Sequence, residues 1–440
     1  MKSCSLSIVL LVSTLSSISA TDQTGLKIRI TDRALDVLKD FGLKALKQLV
    51  NKQFPDFSLL CGCNMCRIKG FTLTNLTVDP EQVVLGFQEK SGLQLEIRDL
   101  YFTGKLEQEL PVYWFQEFMH TGTVAFEGKD VSATIGLKLR RTQRGRLRVE
   151  IPTCEVRAEF GATASGRVVG PVWDLLRFLI HDFINTKLCS TVQMTLVNIV
   201  NFMLDDVSMQ LHKVLNMSFL SRIVPDVSVD LSLSADVSVS SCSLDLPLRG
   251  LVWQGVAVDV GAVPVGPDPV FSEAKKMAYV GISELFFNSA ASLAHRLGPF
   301  QLSIPEGPVE VNLTQAPVVS ISQSGLCVDL KATAWSLRDA PGAPVAADCR
   351  LQLKVELKGN RLTLVIQSSK CNIQPETLKG RVMKPIVNYF IKCKTKGFLK
   401  SWFDEGLPIP LPEGLHFTRG KIVYHTGFLV VGGNLDFTPN

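Results

Sequence analysis

The stretch Val131-Ser-Ala-Thr-Ile-Gly-Leu-Lys-Leu-Arg140 decides the fold class of this chain. Its odd positions are apolar and its even positions are polar or small, which is the period of a β-strand with one buried and one wet face. A turn at Gln143–Gly145 follows, and Leu147, Val149 and Ile151 then resume the alternation. The segment therefore predicts an antiparallel hairpin and not a β-α-β unit.

Similar patterns extend along the chain in both directions. A second turn is predicted at Glu127-Gly-Lys-Asp130, which would place the 143–145 turn at the same end of the sheet as the 105–115 turn. Residues 226–240 alternate most regularly and predict the longest strand. Further strands are predicted at 309–313, 318–321, 326–337, 351–357, 361–367 and 429–437.

Amphipathic helices are predicted between these strands. Residues 31–50 carry apolar side chains at helical spacing, with Thr31 as the N-cap. Long helices are predicted over 168–209 and 376–403, and a shorter one over 277–297. The order helix, strand meander, helix thus occurs twice, which indicates an α+β fold with an internal duplication.

The composition contains more apolar material than a soluble chain of this size normally carries. Of 440 residues, 46 % are hydrophobic and 20 % are charged, and the mean hydropathy is +0.21. No later apolar run reaches the length of about 20 residues that a membrane span requires. The net charge of +5 is too small to indicate a nucleic-acid binder. The apolar excess therefore fills either a core or a lumen inside a curled sheet.

The first 20 residues have the pattern of a secretory signal peptide. Lys2 precedes the apolar run Leu6–Val12, and small residues continue to Ala20. We therefore expect a secreted, extracellular protein. Removal of Cys4 leaves ten cysteines, an even number that favours disulfides in an oxidising compartment.

Modification sites and a possible metal motif follow from short patterns. Three Asn-X-Ser/Thr sequons are candidate glycosylation sites, at Asn75, Asn216 and Asn312. Cys61-Gly-Cys-Asn-Met-Cys66 resembles a metal knot, but its spacing does not match a zinc site, so disulfides are favoured. We expect no metal.

Two surface features suggest contact with lipid. A basic hairpin (residues 138–148) concentrates six cations, namely Lys138, Arg140, Arg141, Arg144, Arg146 and Arg148. Arginine forks suit phosphate, so the cluster is either an anionic-lipid patch or an ordinary solvated hairpin face. The aromatic residues Tyr113, Trp114, Phe115 and Phe118 either enter a membrane interface or pack in the fold.

Catalytic motifs are missing from the sequence. It contains no GxSxG elbow, HExxH, phosphate-binding P-loop or dinucleotide fingerprint. The six histidines fall singly, without the spacing of metal ligands. We therefore expect no enzyme.

Four stretches, in order, resemble one family. Gly25–Leu35 resembles the mature N-terminus of bactericidal/permeability-increasing and lipopolysaccharide-binding proteins, and Met277–Ala290 resembles the start of their C-terminal half. Gly406–Leu411 and Leu429–Gly433 resemble their C-terminus. The superfamily also includes the palate-lung-nasal, phospholipid-transfer, cholesteryl ester transfer and egg-associated proteins.

The resemblance implies a boomerang of two antiparallel barrels, each wrapped round long helices and joined by a central β-sheet, in a pseudo-two-fold duplication. The implied units are a signal peptide (1–20), an N-terminal barrel (21–225), a central sheet and linker (226–270) and a C-terminal barrel (271–440). Each barrel would hold a phospholipid in an apolar pocket, with no other cofactor. The candidate pocket residues are Leu35, Leu38, Leu46, Ile135, Leu137, Leu139, Leu176, Ile180 and Phe286.

The resemblance also bears on the cysteines. It implies the family disulfide between Cys154 and Cys189, and pseudo-symmetry predicts a second between Cys371 and Cys393. The pairing of Cys61, Cys63, Cys66, Cys242, Cys327 and Cys349 stays open.

The expected function is secreted lipid binding, with acyl chains held in the barrels and bacterial lipopolysaccharide as a further ligand in innate defence. However, residues 105–115 are acidic and aromatic where the bactericidal relative is strongly basic. Phospholipid transfer between lipoproteins or membranes, and a structural role in egg or mucosal secretions, are the alternatives. We expect a monomer that binds phospholipids or anionic membrane surfaces and no nucleic acid.

Overall fold

The computed structural model describes most of the chain between residues 23 and 438. The described residues are 23–47, 50–51, 56–61, 64–89, 91–114, 116–165, 193, 197–198, 201, 227–254, 263–304, 307–337, 344–359, 361–375, 407–409 and 415–438. The predicted signal peptide and most of the two predicted long helices lie outside them, although residues 193, 197, 198 and 201 have helical backbone. No helix within the described ranges is long and apolar enough to cross a membrane.

The first part of the chain forms a strand, a helix and a large antiparallel sheet. Its elements are β1 (Leu26–Thr31), α1 (Leu35–Lys47), β2 (Phe57–Cys61), β3 (Asn64–Thr77), β4 (Val83–Gln88), β5 (Gly92–Trp114), β6 (Gln116–Arg141) and β7 (Leu147–Ser165). Single 3₁₀ turns lie at Asp32–Ala34 and Pro80–Gln82. The N-terminal sheet has the order β2-β3-β5-β6-β7, with β4 paired to β5.

Short strands follow in the middle of the chain, and a second strand–helix–sheet series completes it. The middle strands are β8 (Ser228–Asp230), β9 (Ser238–Val239), β10 (Ser243–Leu248) and β11 (Leu251–Trp253). The remaining elements are β12 (Ala278–Ser283), α2 (Glu284–Leu297), β13 (Phe300–Ile304), β14 (Gly307–Leu313), β15 (Val318–Ser322), β16 (Gly325–Ser336), β17 (Val345–Lys358), β18 (Arg361–Pro375), β19 (Leu407–Pro408), β20 (Leu415–Tyr424) and β21 (Phe428–Phe437). The C-terminal sheet has the order β13-β14-β16-β17-β18-β19, with β15 on β16.

A central sheet joins the two halves, with the order β20-β21-β12-β1-β10-β9. Strand β1 lies between β10 and β12, so that Ile28 is opposite both Leu246 and Val280. The described residues of the predicted linker, 226–270, supply β9 and β10 to this sheet. The first strand of the chain is therefore held by strands more than 200 residues away, and the predicted domain boundaries stay a prediction.

The ends of β1 and β12 are fixed by reciprocal hydroxyl bonds. The Thr31 hydroxyl donates to the Lys276 carbonyl at 2.8 Å, and the Ser283 hydroxyl donates to the Thr24 carbonyl at 3.1 Å. The predicted N-cap role of Thr31 is therefore wrong, because its hydroxyl is used between strands. Helix α2 nonetheless begins directly after β12, and α1 begins after the single 3₁₀ turn that follows β1.

One face of the central sheet carries an ion pair covered by an aromatic ring. The Arg29 guanidinium donates to both carboxylate oxygens of Asp245, at 2.6 and 2.8 Å, and this bond raises the pKa of Arg29. The Phe271 ring lies 4.9 Å from the Arg29 guanidinium carbon and 5.7 Å from the Lys27 ammonium. Phe271 belongs to the segment that precedes β12, so the ring attaches that segment to the sheet.

The largest apolar core among the described residues lies between the central sheet, the two helices and the C-terminal sheet. It joins Ala34 before α1 and Ile282 of β12 to Leu429 and Val431 of β21 and Leu326 of β16. Since these residues come from both ends of the chain, the core links the sheets in one packing unit.

The predicted turn at residues 127–130 is wrong. Strand β6 continues through it, with a register shift against β7 between Lys129 and Ser132. Glu127 and Lys129 form an ion pair at 2.9 Å within the strand. Because β6 is unbroken, the confirmed turn at 143–145 lies at the opposite end of the strand from Gln116, which pairs with Trp114 at the end of β5, and the prediction that the 105–115 and 143–145 turns share an end is also wrong.

The long strand predicted over 226–240 is wrong as well. An Asp230 carboxylate oxygen accepts the Ser232 backbone N–H at 2.9 Å, which turns the chain. The Leu233 N–H then bonds to the Gly145 carbonyl at 2.6 Å instead of continuing a ladder. The segment therefore contributes only the short strands β8 and β9.

The helix predicted over 277–297 is partly correct. Its first residues form β12, and only 284–297 are helical. Ala278, Tyr279 and Ile282 are all buried, because β12 is covered on both faces. Such a strand has no alternation, and its apolar run therefore matched a helix equally well. The strands predicted over 309–337, 351–367 and 429–437 are confirmed.

The cysteine pairing differs from the prediction. Cys371 is bonded to Cys349, not to Cys393, because these two residues are directly opposite on β17 and β18. Cys154 is in a disulfide, as expected, but Cys189 lies outside the described residues, so that pairing stays a prediction.

Two cysteines, Cys242 and Cys327, are free thiols. Cys242 is exposed, and Cys327 is half-buried, with its pKa raised by burial and by the Asp329 charge. The pairing of Cys61, Cys63 and Cys66 remains open.

Candidate functional site

The N-terminal sheet has one apolar face. Leu85, Leu95 and Ile135 are register partners across β4, β5 and β6, and Cys154 of β7 continues the row. In the next row, Val83 and Ile97 are buried with relative exposures of 2 % and 5 %, whereas Leu95 is only half-buried. Part of this face is therefore packed against other side chains, whereas Leu95 leaves apolar surface that a ligand can reach.

Helix α1 contacts two apolar regions. Leu43, near its C-terminal end, packs on the N-terminal face with Val83 and Ile97. Leu38, nearer its start, packs in the large core with the central and C-terminal sheets. Of the predicted pocket residues on α1, Leu35 is half-buried, and the Leu46 side chain falls outside what the structure describes.

The other predicted pocket residues of the N-terminal half are unequal in burial. Ile135 is 4 % exposed, and Leu137 and Leu139 are half-buried. Leu176 and Ile180 lie outside the described residues. The sheet thus places Ile135 with Leu95 in one row, and the lining role of the whole set stays a prediction.

The C-terminal sheet has a matching apolar face. Leu326, Leu353 and Ile366 form one row across β16, β17 and β18, and Val328 and Leu351 are partners in the next. Leu326 and Leu353 are buried, whereas Val328, Leu351 and Ile366 are half-buried. The sequence predicts these strands, but none of these residues was among the predicted pocket residues. Their alternation with polar residues along each strand nevertheless identifies the apolar face.

Helix α2 is fixed to the edge strand β15 by two polar side chains, of which Asn288 is buried and Glu284 half-buried. The Asn288 carboxamide accepts the Val319 N–H at 2.7 Å and donates to the Val319 carbonyl at 3.1 Å. A Glu284 carboxylate oxygen accepts the Ile321 N–H at 2.6 Å. These side chains satisfy backbone groups that an edge strand would otherwise leave unpaired. No local sequence pattern indicates this role, since it depends on which strand lies beside the helix.

These bonds fix the position of Phe286, a predicted pocket residue. Its ring is half-buried and packs both on the large core and on a small cluster formed by Val227, Val252 and Leu293. It also contacts the Phe287 ring edge-to-face, with a centroid distance of 5.4 Å. Phe286 therefore lies between two apolar regions rather than on the C-terminal sheet alone.

Amide side chains also bond to the backbone of the edge strand β7 of the N-terminal sheet. The Asn201 carboxamide oxygen accepts the Val149 N–H at 3.1 Å, and the Gln193 carboxamide donates to the Ile151 carbonyl. Gln193 and Asn201 have helical backbone. Amide side chains from a helical segment therefore close one edge of each large sheet.

The basic hairpin lies beside Ser232 and Leu233, which precede strands β9 and β10 of the central sheet. It was predicted at the opposite end of the N-terminal sheet, beside the 105–115 turn. Its turn is closed by the Gly145 N–H, which donates to the Thr142 carbonyl at 2.8 Å, while the Gly145 carbonyl accepts from Leu233. Gly145 has φ +74°, and a side chain there would collide with Ser232. The predicted lipid patch is thus separated by the full length of β6 from the other end of that strand, where the β5–β6 hairpin carries Trp114 and Phe118.

The cations of this hairpin differ in their surroundings. Arg140, Arg144 and Arg146 are exposed, and Lys138, Arg141 and Arg148 are half-buried. Arg140 forms an ion pair with Glu150 at 2.8 Å, although Arg148 is its direct cross-strand neighbour.

The aromatic turn forms the other end of the β5–β6 hairpin. Val112 is the register partner of Phe118, Tyr113 of Glu117 and Trp114 of Gln116. The backbone therefore brings the predicted interfacial aromatic residues to one hairpin end, with Glu117 beside them. Their contact with a membrane stays a prediction.

The structure describes two of the three sequons and part of the chain in which a metal site was judged absent. Asn75 is exposed on β3 and Asn312 is half-buried on β14, whereas Asn216 lies outside the described residues. Within the described ranges, no group of three potential ligands is placed to hold a metal ion. His425 instead bonds to Glu273 at 3.0 Å and stacks on Phe428.

The fold and the two apolar faces define an α+β protein of two large antiparallel sheets joined by a central one. A crystal structure of lipopolysaccharide-binding protein matches this fold with a TM-score of 0.54, at 16 % identity, over 95 % of this chain and 100 % of that chain. The match confirms the predicted fold class, and the internal duplication stays a prediction.

Two relatives add evidence from sequence. Human phospholipid transfer protein is 25 % identical over 94 % of this chain and 90 % of its own length. Rat bactericidal permeability-increasing protein is 21 % identical over 99 % and 98 %. No family model matches the chain. Together with the fold, these matches confirm the resemblance of this chain to the superfamily of these proteins.

Proposed function

We propose that this chain is a secreted lipid-binding protein that holds phospholipid acyl chains against its two apolar faces and transfers the lipid between membranes or lipoproteins. The observation that carries the proposal is the exposure pattern of these faces. Leu95, Val328, Leu351 and Ile366 lie in rows with buried neighbours yet remain half-buried. Apolar side chains in that state stabilise a bound alkyl chain, by about 0.8 kcal/mol for each methylene buried.

Transfer, rather than retention, is favoured by the relatives and by the basic hairpin. The human and mouse proteins named for phospholipid transfer are each 25 % identical to this chain, against 21 % for the rat bactericidal protein. The cations lie beside the central sheet, whereas the end of the β5–β6 hairpin, where Trp114 pairs with Gln116, carries aromatic residues and Glu117. An aromatic end suits brief contact with a neutral lipid surface better than capture of a polyanionic glycolipid.

Binding of bacterial lipopolysaccharide is the second candidate function. It is favoured by the six cations of the basic hairpin, whose arginine forks suit phosphate. We expect this binding to be weak relative to phospholipid binding, because the cations are distant from the aromatic turn. The proposal includes no catalytic step and no cofactor other than the bound phospholipid, and it treats the protein as a monomer.

The test uses protein purified from the medium of cells that express the full chain. Its lipids are extracted and identified by mass spectrometry, and transfer of a fluorescent phosphatidylcholine between vesicles is followed. We expect co-purified phospholipid and protein-dependent transfer. Protein without lipid would remove the proposal, and bound lipid without transfer would restrict it to binding. Retention of the chain inside the cells would contradict secretion.

A further inference from the structure

The two apolar faces differ at the ends that lie away from the central sheet. The N-terminal face ends in phenylalanine rings, whereas the C-terminal face ends in alanines. We propose that the two faces select phospholipids by acyl-chain length, with shorter chains on the N-terminal face and longer chains on the C-terminal face. This inference rests on the proposed function, because it assigns a chain-length preference to each face that holds lipid.

A phenylalanine cluster closes the N-terminal face. It consists of Phe71 of β3, Phe102 of β5 and Phe126 of β6, with relative exposures of 6 %, 6 % and 5 %. The Phe71 and Phe126 rings stack at a centroid distance of 5.2 Å, and the Phe102 ring meets Phe126 edge-on at 6.1 Å. Because rings from three neighbouring strands are buried together, this end of the face leaves little apolar surface for a ligand.

The central ring of the phenylalanine cluster lies directly on the backbone of β5. Gly104 is the register partner of Phe126, and a Cβ atom at residue 104 would collide with the Phe126 ring. A glycine in a strand often marks such a close approach. The ring therefore lies across the sheet, in the path of any chain that extends along β5.

An acyl chain on the N-terminal face reaches this cluster after a limited distance. Phe102 follows Leu95 on β5 by roughly 20 Å at the rise of a β-strand. Between them, Leu43 of α1 packs on Ile97 through apolar contacts, which are not directional. A chain that starts at Leu95 can displace Leu43 more readily than it can displace rings stacked across three strands. The phenylalanine cluster is therefore the fixed end of this site.

Small residues occupy the corresponding end of the C-terminal face. Beyond Leu351, the same face of β17 carries Cys349 and then Ala347. Ala332 and Ala334 of β16 continue the face, and Ala332 is the register partner of Ala347. Ala334 and Ala347 are half-buried, so apolar surface remains where the N-terminal face is closed. A methyl group fills much less space than a phenyl ring, and this face can therefore hold a longer chain.

Two variants allow each face to be tested alone. Leu351→Trp fills the C-terminal face and leaves the N-terminal one, and Leu95→Trp does the reverse. Each full-length protein is incubated with vesicles that contain equal amounts of phosphatidylcholine with myristoyl, palmitoyl and stearoyl chains, and native mass spectrometry identifies the bound lipid. We expect shorter chains on the Leu351→Trp protein than on the Leu95→Trp protein. The preference should change by about fourfold for each methylene that a face admits.

Two further changes should move the end of each site. Phe126→Ala, added to the protein that retains only the N-terminal face, should shift the bound lipid towards longer chains. Ala347→Phe, added to the protein that retains only the C-terminal face, should shift it towards shorter chains. The second change adds a ring at a half-buried position, so it tests the inference even where loss of the Phe126 ring prevents folding.

Each change has a matched control. Phe271→Ala truncates a ring with 7 % exposure that covers Arg29 on the central sheet. Ala346→Phe adds a ring at the neighbouring position of β17, on the opposite face of the strand. Neither control should alter the length of the bound chains. Circular dichroism first verifies that every variant is folded.

Three outcomes would overturn the inference. They are equal chain lengths on the two faces, unchanged chain lengths in folded Phe126→Ala and Ala347→Phe proteins, and an equal shift in the controls. A wild type that binds no lipid at all would instead remove the proposed function, so the two failures are distinguishable.

Discussion

The N-terminal and C-terminal sheets present similar apolar faces but hold their neighbouring helices differently. In the C-terminal half, Glu284 and Asn288 fix α2 to the backbone of β15 by accepting the Ile321 and Val319 N–H groups. In the N-terminal half, α1 contacts the sheet through Leu43, and its start packs instead in the large core. Helix α2 is therefore fixed in register to its sheet, whereas α1 connects two regions by apolar packing.

This difference indicates where each half can adapt to a ligand. Directional bonds to a strand restrict a helix to one position, while apolar contacts tolerate small shifts. We therefore expect lipid binding to move α1 relative to the N-terminal sheet more than it moves α2 relative to β15. Four changes test the comparison, from the largest expected effect to the smallest.

The largest effect is expected from the disulfide of the C-terminal sheet. Replacing Cys349 and Cys371 together by Ser removes a link that spans 22 residues and should lower the free energy of unfolding by about 3 kcal/mol. Urea denaturation under non-reducing conditions measures the change. Peptide mapping of the wild type provides the control, and a peptide that joins Cys371 to Cys393 would contradict the assignment.

Leu43→Ala tests the apolar contact of α1. The side chain is 8 % exposed, and its truncation should lower stability by about 2.5 kcal/mol. Hydrogen exchange should increase in β4 and β5 and not in β15. Lys47→Ala, at an exposed position of the same helix, is the matched control. Equal exchange throughout the chain would show that the contact is not local to the N-terminal half.

Asn288→Ala tests the polar attachment of α2. The change leaves the Val319 N–H and carbonyl without partners in a buried site and should lower stability by about 2 kcal/mol. Hydrogen exchange should increase in β15 and α2 while β4 stays protected. Arg296→Ala on the exposed side of α2 should change little. An Asn288 variant as stable as this control would remove the proposed difference between the halves.

The smallest effect is expected from an exposed ion pair on the C-terminal sheet. Arg350 donates to both carboxylate oxygens of Asp329, at 2.6 and 2.9 Å, and lowers the pKa of that carboxyl. A lowered pKa stabilises the fold above the ordinary value of 3.8, and this contribution is lost as the pH falls through the folded-state pKa. Asp329→Asn should therefore reduce the urea midpoint slightly at pH 7 and not at pH 2. A difference that persists at pH 2 would contradict this origin.

The sequence predicts strands correctly where one face is exposed to solvent. It misses elements whose structure is determined by contacts with other parts of the chain. Residues 131–140 alternate because one face of β6 is buried, and that strand was placed correctly. Strand β12 is buried on both faces and shows no period, so Met277–Ser283 was assigned to a helix. Residues 226–240 alternate well, but the Asp230 side chain bonds to the Ser232 backbone and ends the strand.

Long-range pairing limited the prediction of the site in the same way. Cys349 faces Cys371 because of the register of β17 and β18, which no local pattern contains. One false turn at 127–130 also moved the basic hairpin to the wrong end of the N-terminal sheet. The six cations were found, but their location beside Leu233 required the structure.

The central claim is that both apolar faces hold lipid, and native mass spectrometry of the purified chain tests it most directly. Leu95→Trp and Leu351→Trp each fill one face, and Glu96→Trp and Lys354→Trp are the controls on the opposite faces. Circular dichroism first verifies that each variant is folded. We predict two phospholipids on the wild type and the controls, and one on each face-filling variant. A wild type that carries no lipid would contradict the claim.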